Sequence, residues 1–264
     1  MKLDVCVPTL KQAPAEFEEM VRREIPVNRI IYSSLKPLGT ARQELIDRVS
    51  TEWFVFVDTD VELMPGWFSK VWRLVGDKTG AVDGMWSYTL EPEVDAYQES
   101  MEELAKILGR KTSTDLVTRA FTGDTLVRTE LVKDIEIPPV PVWEDEFIKQ
   151  HIVRKGYEWR RTKEAVCLHH RRLNIGQAYD SGYYGYYFGG ISPMQAVKNL
   201  ITIVPKVTFA VLKTGKWRLL PMQTSREFRT SLGCLVAWSK GHRYDWDRND
   251  ATKIQKGQET PRLQ

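Results

Sequence analysis

The sequence has 264 residues, of which 42% are hydrophobic, and a net charge of +3. This excludes a chain too polar to fold and allows one large domain with an appendage. The three cysteines, Cys6, Cys167 and Cys234, are far apart, which excludes a disulfide framework and predicts a reducing compartment. A strand pattern begins at once and no apolar run reaches about 20 residues, so we expect neither a signal peptide nor a membrane-spanning helix.

The first two thirds of the chain alternate between strand and helix patterns. We predict strands over 3–7, 29–32, 53–57, 81–90, 121–127 and 166–169. The predicted helices between them cover 17–23, 40–49, 99–108 and 144–154. Such alternation favours an α/β fold with a mostly parallel sheet and right-handed crossovers.

After residue 172 the composition changes. Residues 179–190 are mostly Tyr, Gly and Phe, and two capping boxes predict helices that begin at Ser192 and Thr224. We expect Pro205 to split or kink the first of them. We therefore divide the chain into a catalytic domain over 1–175, an aromatic linker with amphipathic helices over 176–245, and a polar tail over 246–264.

The C-terminal helices carry an excess of positive charge. Between residues 198 and 243 there are nine Lys and Arg but one acid, Glu227, which predicts an anionic partner such as a nucleic acid or a lipid headgroup. The basic residues fall on one side of each helix and aliphatic residues on the other. With Trp217 and Trp238, this pattern is typical of helices in a membrane interface. The alternative is ordinary packing against the catalytic domain.

Two carboxylates follow the most apolar predicted strand. Asp58 and Asp60 come directly after residues 53–57, and ligands of open α/β sheets bind at the carboxyl ends of strands. Such a pair can share Mg²⁺ or Mn²⁺ with phosphate oxygens, and a departing diphosphate needs such a cation. The alternative is a solvated turn.

A second acidic cluster and a histidine also follow predicted boundaries. Glu144, Asp145 and Glu146 begin a predicted helix behind Val142 and Trp143. Helix capping explains acids there, but a carboxylate against Trp would be partly desolvated, which suits a general base. His169 ends the last predicted strand, where a metal ligand is one interpretation and a structural histidine the other.

Six short motifs occur in a fixed order between about residues 3 and 172. They are Val7-Pro8-Thr9-Leu10, Gly39-Thr40-Ala41-Arg42-Gln43, Asp58-Thr59-Asp60 with Met64-Pro65-Gly66-Trp67-Phe68, Phe121-Thr122-Gly123 with Arg128-Thr129-Glu130-Leu131, Glu144-Asp145 with Gly156-Tyr157, and Ala165-Val166-Cys167-Leu168-His169. Together they resemble the family 2 glycosyltransferases of the GT-A fold. That group includes dolichol-phosphate mannose synthases and cellulose-synthase-like enzymes.

The resemblance implies a role for each matching residue. The donor would be bound by Pro8, Thr9, Arg42, Asp58 and Gly123. The cation, Mn²⁺ or Mg²⁺, would be held by Asp58, Asp60, His169 and Glu62. Glu62 stands where polyprenyl-phosphate mannose synthases have a glutamine that joins the metal, and Asp145 would be the catalytic base.

The resemblance also implies an activity. We expect inverting transfer of one sugar from a nucleotide-sugar to a polyprenyl-linked acceptor, with mannose from GDP-mannose as the expected sugar and donor. The protein would be peripheral or monotopic on the cytoplasmic face of the membrane, with no nucleic acid partner. The chain lacks the Gln-x-x-Arg-Trp motif of processive synthases, and its turn 32–36 lacks the family's usual acid. The alternatives are a haloacid-dehalogenase-like phosphatase and a non-catalytic peripheral membrane protein.

Overall fold

The computed structural model describes residues 1–88, 92–109, 120–170 and 175–245. The predicted polar tail 246–264 lies outside the described residues. The strands are β1 Leu3–Pro8, β2 Val27–Ser33, β3 Trp53–Val57, β4 Val61–Leu63, β5 Thr79–Tyr88, β6 Asp124–Arg128 and β7 Glu158–His169. The helices are α1 Ala15–Glu24, α2 Leu38–Arg48, α3 Trp67–Trp72, α4 Pro92–Ile107, α5 Glu144–Arg154, α6 Ala178–Tyr187, α7 Pro193–Thr214 and α8 Leu219–Ser239.

Seven strands form one mixed sheet in the order β2-β1-β3-β6-β5-β7-β4. Strands β2, β1, β3, β5 and β7 run in one direction, and β6 and β4 run against them. The sheet is therefore mostly parallel, as the alternating pattern predicts. The chain moves from β1 to β2 on one side and then returns to β3 on the other, so the strand order reverses beside β1.

The sheet separates two hydrophobic cores. On one face, Phe54 and Phe56 of β3 pack with α2, α5 and α6. On the other face, Trp53, Val55 and Val57 pack with α1 and α3. This strict alternation explains why β3 is apolar at every position, since both of its faces are covered. The three cysteines are free and buried, and burial raises the pKa of Cys6 and Cys167.

Three local differences separate the sheet from its prediction. The three-residue strand β4 and the helix α3 were not predicted, because neither is long enough to show a period. Strand β7 begins at Glu158 rather than at residue 166. Its first half, Glu158 to Lys163, is mostly charged, and pairing with β5 rather than local hydrophobicity makes it a strand.

The aromatic segment predicted as a linker contains helix α6. Its Tyr183, Tyr184 and Tyr187 lie in the same core as Phe147 of α5. Helix α6 crosses α8 closely through glycines, since a Cβ on Gly233 would lie 2.1 Å from the carbonyl oxygen of Tyr179. The domain boundaries stay a prediction, and these contacts join the segment after residue 176 to the sheet domain.

The last two helices differ from their predictions. Ser192 caps α7 as expected, its hydroxyl accepting a hydrogen bond from the Gln195 amide at 3.2 Å. Pro205 does not split α7, which continues to Thr214, because buried residues on both sides of the proline hold it against neighbouring helices. Helix α8 begins at Leu219 and not at Thr224.

The exposed side of α7 is largely apolar. Met194, Val197, Ile201, Val204 and Leu212 follow helical spacing and are all exposed, with Ile201 at 72%. We call these five residues the α7 apolar row. By length and composition alone, α7 is the one helix among the described residues that could cross a membrane. The prediction that no segment reaches that length is therefore wrong, because it assumed that Pro205 ends the helix.

Candidate active site

The first site candidates along the chain lie at the carboxyl ends of β1 and β3, beside the end of β2. These three strands are parallel neighbours, so Thr9, Ser34 and Asp58 leave the sheet at the same edge. The strand order reverses between β2 and β3 around β1, and such a reversal opens a crevice in which α/β proteins bind ligands. The fold therefore places the first predicted motifs together.

Arg42 connects two parts of the site that are distant in sequence. It is only 1% exposed, and its Nη2 donates to Asp58 Oδ1 at 2.7 Å. Its Nε lies 3.8 Å from Glu144 Oε1, and its guanidinium stacks 4.6 Å from the centre of the Phe56 ring. Arg42 thus brings the end of β3 next to the start of α5.

Gly39 allows α2 to reach this position. A Cβ there would lie 2.2 Å from the carbonyl oxygen of Pro138, so no larger residue fits without moving the backbone. The Gly39 amide also donates to the Val140 carbonyl at 2.9 Å. This close approach fixes α2, and with it Arg42, against the segment that leads into α5.

Asp60 and His169 meet across the sheet edge. His169 ends β7, which pairs with β4, and the backbone amide of His170 donates to the Asp60 carbonyl at 2.7 Å. His169 Nε2 lies 3.2 Å from Asp60 Oδ2. His169 is buried whereas the Asp60 side chain is 47% exposed, so the carboxylate is open to a ligand from solvent.

Glu62 has a different neighbour. On β4 it points away from the buried Val61 and Leu63, and its Oε2 lies 3.0 Å from His170 Nε2. Glu62 and His170 therefore form a second carboxylate–imidazole pair beside the first. Whether Glu62 binds metal stays a prediction.

Asp145 lies in the first turn of α5 and is buried. Its Oδ1 accepts a hydrogen bond from the Glu146 amide at 2.8 Å. The Glu146 carboxylate has structural contacts: it accepts hydrogen bonds from the Gln150 side chain at 2.7 Å and from the Ala120 amide at 3.2 Å. Of the other acids in this cluster, Glu144 lies 3.8 Å from Arg42 and Glu146 is hydrogen-bonded to Gln150 within the helix.

Trp143 is the residue directly before α5, and its backbone conformation determines how the chain enters the helix. It has a left-handed backbone with φ of 71°, an uncommon conformation for a residue with a side chain. Its indole Nε1 donates to the Ser181 carbonyl at 2.8 Å, and its ring lies where Cβ atoms on Gly185 and Gly190 would be. The glycines of the aromatic segment thus make room for the residue that precedes the predicted base.

Gly123 supports Asp58 from the neighbouring strand. Its carbonyl accepts a hydrogen bond from the Asp58 amide at 3.0 Å. The loop before it packs on a buried ion pair, since the Arg161 guanidinium lies 4.8 Å from the Phe121 ring and binds both oxygens of Asp83. Burial raises the pKa of Asp83 although the Arg161 hydrogen bonds oppose the shift.

A cavity of about 520 Å³ opens between the ends of β1 and β2. Its lining residues are Thr9, Leu10, Lys11, Gln12, Ala13, Glu18, Tyr32, Ser33 and Ser34. We call it the β1–β2 cavity. Thr9 lines it as the resemblance implies, while Pro8 is the last residue of β1. Glu18 was not singled out from the sequence, because an acid on an amphipathic helix resembles any solvated residue.

The carboxylates and the histidine fit a cation only together with another ligand. No group of three or more His, Cys, Asp or Glu in the described part of the chain is arranged to hold a metal by itself. Asp58 already accepts a hydrogen bond from Arg42. Asp60 and its neighbour His169 are therefore the main candidates for contact with a cation. Mg²⁺ and related ions are commonly bound by one or two carboxylates plus substrate phosphates, and this donor set fits such a shared site.

The site thus combines an acidic strand end, a neighbouring cavity and a buried acid in an α/β fold. In a comparison with protein families, the sequence model of the family described as glycosyl transferase family 2 matches residues 14–136. A search among curated proteins gave no match. The family match agrees with the order of motifs in the sequence.

Two solved structures are similar to this one. A mannosyltransferase from Pyrobaculum calidifontis, in complex with GDP-Man and Mn²⁺, is 13% identical, covers 91% of this chain and 86% of its own, and has a TM-score of 0.52. A glucosyl-3-phosphoglycerate synthase from Mycobacterium tuberculosis, with Mn²⁺ and uridine-diphosphate-glucose, is 15% identical, covers 70% and 77%, and has a TM-score of 0.48. The resemblance predicted from the sequence is confirmed by the family match over residues 14–136, and the chain has the GT-A fold.

Proposed function

We propose that the protein is a metal-dependent, inverting glycosyltransferase that moves one sugar from a nucleotide-sugar to an acceptor hydroxyl. The observation that carries this proposal is the bridge of Arg42 between Asp58 and Glu144. It brings the acidic strand end next to the helix that bears Asp145. Donor activation and proton removal can then occur at one edge of the sheet.

The chain's own residues have separate tasks in this reaction. Asp60, with Asp58 and His169 beside it, would hold Mn²⁺ or Mg²⁺, which neutralises charge on the departing diphosphate when bound. Arg42 fixes the orientation of Asp58. Asp145 accepts the proton of the acceptor hydroxyl as its oxygen bonds to the anomeric carbon and the bond to the diphosphate breaks. The buried position of Asp145 keeps bulk water away from this proton transfer.

Substitution of Asp60 tests the metal-dependent donor site. We expect Asp60→Ala to weaken Mn²⁺-dependent binding of the donor nucleotide by at least about 10-fold, the scale for losing one charged contact. Titration calorimetry with GDP, with and without Mn²⁺, measures it. The control is Asp77→Ala, which replaces an exposed aspartate just before β5 and should bind the nucleotide as the wild type does. Wild-type affinity in Asp60→Ala would contradict the proposed site.

The proposed stereochemistry follows from the number of candidate groups. One base without a matching nucleophile implies a single displacement, so an α-linked donor should give a β-linked product. NMR of the anomeric proton of the product distinguishes the two configurations. An α-linked product would contradict the single displacement.

We further propose that the acceptor is lipid-linked and that the protein acts at the cytoplasmic face of a membrane. The α7 apolar row supports this, because contiguous exposed apolar side chains mark interaction sites. On the helical wheel Lys198 lies beside the row and Lys206 lies further round on the same side. Basic residues near an anionic surface contribute about 1 kcal/mol each. Five other residues of α7 are buried against the protein, which favours a helix lying in the interface over one crossing it.

Liposome flotation tests the membrane proposal. We expect binding to vesicles with anionic lipid, weakened by salt, and lost in the double variant Val197→Ser/Ile201→Ser or in Lys198→Glu/Lys206→Glu. Lys213 is left unchanged because it pairs with Glu103 of α4. Lys2→Glu, an exposed lysine outside these helices, is the control. Absence of flotation in the wild type would contradict the proposal.

A further inference from the structure

The β1–β2 cavity contains one carboxylate that the proposed reaction does not use. Glu18 reaches the cavity from α1, and its Oε1 accepts a hydrogen bond from the Tyr32 hydroxyl at 2.7 Å. Its Oε2 lies 3.8 Å from Arg22 Nη2, too far for a hydrogen bond. The Glu18 side chain is 41% exposed. Tyr32 therefore holds the carboxylate in place while acceptor capacity remains for a ligand in the cavity.

We propose that Glu18 selects guanine as the base of the donor nucleotide, an inference that rests on the proposed transferase function. Guanine has two neighbouring donors, N1–H and the 2-amino group, and a carboxylate can accept from both at once. Uracil has a single donor, N3–H, so a carboxylate can accept only one hydrogen bond from it. The 6-amino group of adenine stands next to an acceptor nitrogen. Glu18 can thus accept two hydrogen bonds from guanine but no more than one from uracil, and next to the adenine amino group it meets an acceptor nitrogen.

The position of the cavity suits a base whose diphosphate is bound at Asp58 and Asp60. Strand β1 lies between β2 and β3, and neighbouring strands are about 4.8 Å apart. A nucleotide lying across the ends of these strands can therefore place its phosphates at the end of β3 and its base in the cavity. The residues that follow β2, Ser34-Leu35-Lys36, include no acid, and the carboxylate in the cavity lining comes from α1.

A comparison of GDP with inosine diphosphate isolates the contact. Inosine diphosphate is GDP without the 2-amino group, so the two differ only in a donor that Glu18 would bind. In calorimetry with Mn²⁺, we expect the wild type to bind GDP about 10-fold more tightly than inosine diphosphate, and more tightly than UDP. Glu18→Gln should reduce the difference between GDP and inosine diphosphate to below about 3-fold, because its amide group opposes one of the two donors.

Two further variants make the test decisive. Glu19→Gln removes an exposed carboxylate from the next position of α1, outside the cavity lining, and should keep the full difference. Tyr32→Phe removes the hydroxyl that orients Glu18, so we expect a smaller difference in affinity between GDP and inosine diphosphate than in the wild type. This variant also tests the role of Glu18 if Glu18→Gln does not fold.

The outcomes separate this inference from the proposed function. Tighter binding of UDP than of GDP by the wild type, or an unchanged difference in both Glu18→Gln and Tyr32→Phe, would overturn the role of Glu18. Metal-dependent nucleotide binding would still support the transferase in that case. If none of the three nucleotides binds with Mn²⁺, both proposals are overturned together.

Discussion

Asp145 is the residue on which the proposed chemistry depends most directly. Asp145→Asn keeps the shape of the side chain and its hydrogen bond with the Glu146 amide, but the amide cannot accept a proton. We expect turnover to fall by about 10²-fold or more, while GDP binding with Mn²⁺ stays within about 2-fold of wild type. Steady-state kinetics and calorimetry together measure this. Near-wild-type turnover would move the base to Glu144 or Glu146.

Asp4 is a buried charge of a different kind, with a structural role far from the site. Burial alone would raise its pKa, but hydrogen bonds from Asn28, Ser50 and Arg29 outweigh burial and leave the pKa below its ordinary value. Asp4 in this way ties the start of β1 to β2 and to the loop before β3. A lowered pKa stabilises the fold above the unfolded pKa of about 4, and the contribution is lost as the pH falls through the folded pKa.

We expect Asp4→Asn to lower the free energy of unfolding by about 1–3 kcal/mol at pH 7, the scale for disturbing charged hydrogen bonds. The difference from wild type should shrink as the pH is lowered from about 5 towards 3. Urea unfolding across this range measures it. A difference that does not change with pH would show that packing rather than charge explains the effect.

At the scale of elements, the crossing of α6 and α8 depends on small residues. Gly182 and Gly233 each bring one helix against the backbone of the other, and this contact joins the C-terminal helices to the core around Trp143. Helices normally lie 8–10 Å apart, and glycines permit the closest approach. The crossing therefore supports the start of α5 as well as α8.

We expect Gly233→Ala to destabilise the protein by about 1–3 kcal/mol, because its Cβ would overlap the Tyr179 carbonyl oxygen. Alanine is the better helix former by about 1 kcal/mol, so an unhindered site would instead be stabilised. Gly76→Ala is the control, since the nearest atoms there are 3.9 Å or more away. A melting temperature equal to or above wild type in Gly233→Ala would contradict the close crossing.

At the scale of the whole molecule, donor and metal binding should stabilise the fold together. The residues proposed to bind the donor and the metal lie at the ends of β1, β3 and β7, which belong to one sheet. A donor or metal ion that binds only the folded chain therefore opposes its unfolding. At a concentration of about 100 times Kd, a ligand contributes about 2.7 kcal/mol. We expect Mn²⁺ with GDP-mannose to raise the melting temperature more than either alone, and more than Mn²⁺ with UDP-glucose.

A thermal-shift panel of nucleotide-sugars with and without Mn²⁺ measures this effect. Asp60→Ala, melted alone and with ligands, separates loss of binding from loss of stability. Equal shifts with and without Mn²⁺ would contradict a shared site for the metal and the diphosphate. A larger shift with UDP-glucose would contradict the expectation of a GDP-linked donor.

Local pattern was sufficient for several parts of this protein. Strand β3 at Trp53–Val57 and helix α5 at Glu144–Arg154 have the bounds that the sequence predicts, because an unbroken apolar run and a clear helical period depend only on neighbouring residues. Local pattern also placed Asp58 and Asp60 directly after β3. The order of motifs that resembles the glycosyltransferases could likewise be read from the sequence alone.

The contacts between distant segments were decided only by the tertiary structure. The sequence predicts Arg42 and Glu144 separately, but not that one guanidinium lies between Asp58 and Glu144. It does not show that Glu18 lines the β1–β2 cavity, or that α7 continues through Pro205. Each of these depends on which elements pack together, and the free energy of that packing comes from side chains far apart in sequence, which no local period reports.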